Sequence, residues 1–102
     1  MNTLVKLQQL ESLYRQGYQS EVVDRTLEKM IALENAQTRR ELEIIEADLQ
    51  VYERQYQMTS RDFQERFHDG ELGDGADYFE WSALCDMAQI LRERLHALQS
   101  ER

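Results

Sequence analysis

The side chains that could do chemistry in this 102-residue chain are concentrated between Asp62 and Asp86, where eight acids stand against one base, Arg66. Carboxylates at this density suggest a hard-cation site or general acid–base work. Asp69, Glu71 and Asp74 are the best oxygen donors for a cation, but an EF-hand loop needs glycine at its sixth position and a liganding glutamate at its twelfth. Counting from Asp69, those places are held by Asp74 and Glu80. The spacing therefore reads as a solvated Gly/Asp turn, and neither a metal nor another cofactor is expected. His68 and His96 lie far apart with no cysteine or second histidine at ligand spacing, and Cys85 beside Leu84 reads as a small core residue. There is no Ser-His-Asp set, phosphate-cradling glycine loop or H-E-x-x-H pattern, so a catalytic role is not expected.

What remains is an acidic, aromatic-rich surface. Asp62 to Asp86 carries a net charge of −7 in a chain whose total is −8. Such a surface suits a basic protein partner, because complementary charge steers encounter. Asp69, Glu71, Asp74, Tyr78 and Phe79 are its expected contact residues. Nucleic acid would need a basic footprint; the only adjacent basic pair is Arg39-Arg40.

The elements that must position this surface are helical. The chain has no proline and four glycines, three of them (Gly70, Gly73, Gly75) in one loop. Leu4, Leu7, Leu10, Leu13 and Tyr14 recur at helical spacing, and Gly17 sits where a C-terminal cap belongs. Ser20 offers an N-cap, and no breaker follows until Met58. That predicts a helix roughly 55 Å long. Its apolar stripe runs through Val22, Val23, Leu27, Met30, Ile31 and Leu33, then through a heptad seam of Leu42, Ile45, Leu49, Tyr52 and Tyr56, which Ile44 and Val51 widen on one side. Residues 34–40 (ENAQTRR) are polar and fit either a bend or a polar layer.

Thr59 with Asp62 forms a capping-box pattern, and Phe63 and Phe67 share a face of the short helix that follows. Asp77 with Glu80 repeats the pattern before a final helix with a heptad of Trp81, Leu84, Ala88, Leu91, Leu95 and Leu98. Tyr78 and Trp81 are expected to pack on Phe63 and Phe67. The reading is an all-α chain, one domain overall, with a short and a long helix in 1–58 and a short helix, acidic loop and C-terminal helix in 59–102. The last helix should fold back on the long one. A 55 Å helix exceeds the radius of gyration of about 13 Å for a 100-residue globule, and covering its stripe implies a homodimer through Leu27, Ile31, Leu42, Ile45, Leu49 and Tyr52. One cysteine and no apolar run long enough for a membrane span suggest a soluble cytoplasmic protein.

Two resemblances bear on function. Leu10 to Ile31 resembles the two helices of ribbon-helix-helix repressors, but Met1 to Gln9 shows helical spacing where that fold has its DNA-reading strand. It implies an operator-binding autorepressor only weakly. The second covers more. Tyr56, Met58, Thr59, Ser60, Phe63 and Phe67, followed by GELGDGADYFEW from Gly70 to Trp81, resemble small bacterial proteins, common in cyanobacteria, that serve as antitoxin components of toxin–antitoxin pairs. Gln57 stands where that pattern has glycine, and Cys85 where it has an aromatic. The resemblance implies an antitoxin-like protein that masks a small basic toxin-like partner of the TumE type. A structural coiled-coil adaptor is the alternative.

Overall fold

The computed structural model describes residues 2–99, whose regular structure is four helices: α1 Thr3–Arg15, α2 Glu21–Tyr56, α3 Ser60–His68 and α4 Ala76–Gln99. No described helix is long and apolar enough to cross a membrane. The chain divides into two compact units, Met1–Ala32 and Leu33–Arg102. The boundary thus falls inside α2 rather than after Met58, because residues from Leu42 onward share a core with α3 and α4.

In the first unit, Asn2 caps α1 by accepting a hydrogen bond from the Val5 N–H at 2.9 Å. α1 ends in a Schellman turn: the Tyr18 N–H donates to the Leu13 carbonyl, the Gly17 N–H to that of Tyr14, and Gly17 takes φ 97°. Ser20 caps α2 as expected, its hydroxyl accepting from the Val23 N–H at 3.3 Å. The Tyr14 hydroxyl joins the two helices, donating to Asp24 at 2.7 Å and accepting from the Ser20 N–H at 3.1 Å. No described residue of this unit is buried; Leu10, Tyr14, Ser20, Val23 and Leu27 are only half-buried.

The second unit holds the core. Leu42, Ile45 and Leu49 of α2 pack with Phe63 of α3 and with Trp81, Cys85, Ala88 and Leu91 of α4. The side-chain pairs Arg92–Glu46 at 3.3 Å, Arg94–Glu41 at 3.2 Å and Gln99–Asn35 at 3.4 Å show α4 running antiparallel to this part of α2. The two ion pairs are about half exposed, so they mark the register more than they stabilise it.

The polar stretch 34–40 is helical. Thr38 within it is fully buried, with its hydroxyl donating to the Glu34 carbonyl at 2.8 Å. It extends the seam as Thr38, Leu42, Ile45, Leu49, Tyr52, Tyr56, and its internal bond removes the penalty for burying a hydroxyl.

Two expectations need correction. The dimer seam of Leu42, Ile45 and Leu49 is covered by α4 of the same chain, which leaves these residues 6–9% exposed; Tyr52 stacks near-parallel to Trp81 at 5.6 Å. Leu27 is half-buried and Ile31 exposed, both in the first unit. On α4, Leu84 of the heptad is only half-buried at the edge of the core, while Cys85 sits in the core as its type suggests. Burial pushes the Cys85 thiol above its ordinary range, as suits an inert packing residue.

Candidate protein-interaction surface

The acidic loop between α3 and α4 is held at both ends and anchored in its middle. Thr59 caps α3, accepting from the Asp62 N–H at 3.1 Å. α3 closes in a second Schellman turn, with the Glu71 N–H on the Arg66 carbonyl, the Gly70 N–H on that of Phe67, and Gly70 at φ 78°. Gly73 also turns through positive φ, at 81°, where an L side chain would be strained. Between these turns Leu72 packs against the core. Asp69, Glu71 and Asp74 are left exposed. Among the described residues no three His, Cys, Asp or Glu side chains gather as a metal-ligand set.

Asp77 does not cap α4. The helix begins one residue earlier at Ala76, and the Gly75 carbonyl receives the Tyr78 and Phe79 N–H groups. Asp77 instead accepts a hydrogen bond from the Tyr56 hydroxyl at 2.6 Å, from a first-turn position that still complements the helix dipole. That bond, with desolvation of the ring, pushes the Tyr56 phenol up to about 12. Tyr52 is raised too, by burial first and by the Glu80 carboxylate second.

The aromatics beneath the loop form a stacked set. Trp81 and Phe63, both fully buried, lie 4.0 Å apart between centroids at an interplanar angle of 5°. The Trp81 indole N–H donates to the Ser60 hydroxyl at 2.9 Å, and the Ser60 N–H donates to the Glu53 carboxylate at 2.8 Å. One chain of polar contacts thus links α2, α3 and α4 and leaves no buried side-chain donor or acceptor unpartnered among the described residues. Tyr78 is half-buried against Tyr56, at 5.4 Å, and Phe63, at 6.0 Å. Phe79 differs: it is 57% exposed and rests edge-on against half-buried Phe67 at 5.4 Å.

Of the five expected contact residues, Asp69, Glu71, Asp74 and Phe79 are therefore accessible, and Tyr78 mainly closes the core. The polar chain Glu53–Ser60–Trp81 escaped sequence reasoning, because only folding brings these residues together. A groove on the α2/α4 face, where Ile44, Met87 and Ile90 flank Ile45 and Leu91 between Glu41 and Arg94, was missed as well. Its signal was present: Ile44, Met87 and Ile90 are apolar residues standing outside both heptads.

Searches of protein-family models, curated proteins and solved structures return no match to this chain.

Proposed function

We propose that this chain is an antitoxin-like binding protein whose acidic α3–α4 loop docks on, and masks, a small basic protein. The observation that carries this reading is the separation of charge. Residues 1–32 hold four bases (Lys6, Arg15, Arg25, Lys29) and four acids (Glu11, Glu21, Asp24, Glu28), so the chain's net −8 belongs entirely to residues 33–102. Within that acidic unit, Glu71 and Asp74 flank Leu72, whose packing fixes the loop, and exposed Phe79 offers an aromatic contact at its base. Acids held on an anchored loop lose little entropy on binding, and an aromatic beside them is a favoured hot-spot type. The motif resemblance over Tyr56 to Trp81 supports the same reading.

An operator-binding role has less support: α1 starts at Thr3, and no strand occurs among the described residues to read a groove. The test is direct binding of the purified chain to the product of the adjacent gene, with toxicity of that product as a second readout. Glu71→Lys with Asp74→Lys should slow association and abolish protection while leaving the fold intact. Wild-type binding and protection by this double variant at low salt would refute the proposal, and absence of any binding by the wild type would favour the adaptor.

A further inference from the structure

The first unit is a hairpin without a core, and we infer that a second copy of this chain completes it through an isologous pairing of α1 and the start of α2. Three of its exposed apolar side chains, Leu7, Val22 and Met30, line one groove together with half-buried Leu10, Val23 and Leu27, with polar Thr3, Lys6 and Thr26 among the lining residues. Val22 is 74% exposed, Met30 48% and Leu7 44%. A hairpin of α1 and the first turns of α2 in which no described residue is buried gains little to offset its ordering entropy, so this face calls for a cover.

Charge selects the occupant. The hairpin has zero net charge, and four of its eight surface ions are already paired along their helices, Arg15 with Glu11 at 2.8 Å and Arg25 with Glu21 at 2.9 Å. A basic partner finds nothing there to steer it. An identical hairpin meets no net repulsion, whereas two acidic units brought face to face would repel. The heptad seam of the second unit is already filled by α4, and the apolar groove that stays open beside it belongs to the acidic unit, so self-association falls to the neutral hairpin.

Area is consistent with a modest dimer. α1 is about 20 Å long at 1.5 Å per residue. Two helices with axes about 10 Å apart then present a face of about 20 by 20 Å. The projected value of roughly 400 Å² per copy, or about 800 Å² for the pair before side-chain relief, places the pairing in the size class of weak, concentration-dependent interfaces. Four helices around one apolar centre is the expected arrangement.

This inference is independent of the proposed partner and is tested on the full chain alone. Sedimentation or light scattering across the micromolar range should show wild type moving, as concentration rises, from 12.2 kDa toward twice that mass. Val22→Glu with Met30→Glu places carboxylates at exposed positions, and Glu is favourable in the first turn of a helix. This variant should stay at monomer mass at every concentration with an unchanged Trp81 near-ultraviolet signal. Ile44→Glu with Ile90→Glu, on the α2/α4 groove, should dimerise as wild type does. Amide exchange adds a readout that does not depend on variants: α1 should lose protection on dilution, while α3 and α4 keep theirs. A monomeric wild type throughout, a dimer that survives the Val22/Met30 change, or dimerisation lost only in the Ile44/Ile90 variant would each overturn it.

Discussion

Replacing Gln57 by glycine and by alanine isolates the strain at the end of α2. Gln57 is the one described non-glycine residue with positive φ, at 54°. It occupies the left-handed position of a third Schellman turn, in which the Met58 N–H reaches back to the Glu53 carbonyl at 3.3 Å. The corresponding positions after α1 and α3 are Gly17 and Gly70. A side chain in this conformation costs about 1–2 kcal/mol. Gln57 recovers part of that, roughly 0.5–1.5 kcal/mol, by donating from its amide to the Arg54 carbonyl at 2.7 Å. Alanine keeps the strain and loses the bond. Glycine loses the bond and the strain, but its freer unfolded chain offsets about 0.4–1 kcal/mol of the gain. The glycine variant should therefore be more stable than the alanine variant by about 1 kcal/mol, with wild type between or level with glycine. For a cooperative unit of this size that is a difference of about 4–8 °C in melting temperature, readable by circular dichroism or calorimetry. An alanine variant that melts with the glycine variant, or above it, would refute the reasoning and show that the turn relaxes to ordinary backbone.

Phe63→Ala should cost about 3–5 kcal/mol, as expected for a fully buried ring; Phe67→Ala should also destabilise, but less, because Phe67 is half-buried, and denaturant titration of both checks the order. Ser60→Ala strips from the buried Trp81 indole N–H its one partner among the described residues and should cost about 1–3 kcal/mol, while in Trp81→Phe the same serine change should cost much less. Tyr56 should ionise near pH 12 in phenolate absorbance titration. Because folding raises that value above the ordinary 10.0, the neutral phenol is the form the fold favours; the associated stability is present in full below pH 10.0 and is lost as pH rises toward 12. Tyr56→Phe should remove that alkaline step.

Local chemistry alone settled the element order. Helix ends in this chain are decided by residues adjacent in sequence: Ser20 and Thr59 supply hydroxyls to N–H groups three residues on, and Gly17 and Gly70 accept a left-handed backbone that closes the turn. The heptads were equally legible, since a helix presents the same face every three or four residues. What periodicity does not specify is the partner of a face. Leu42, Ile45 and Leu49 carry a seam that fits a second copy or α4 equally well, and the antiparallel closure with α4 decided it, leaving the hairpin of α1 and the groove around Ile44, Met87 and Ile90 uncovered. Cap assignment failed for the same reason at Asp77, where a hydroxyl from Tyr56, distant in sequence, competed for the carboxylate. Thr38 shows the converse: residues 34–40 fit a bend or a polar layer by type, and the bond from its hydroxyl to the Glu34 carbonyl lets Thr38 be buried in the seam as the layer. The acidic loop was visible as composition. That its acids stand exposed, while Leu72 and Tyr78 turn inward, was fixed by the stacked aromatics that fill the space beneath it.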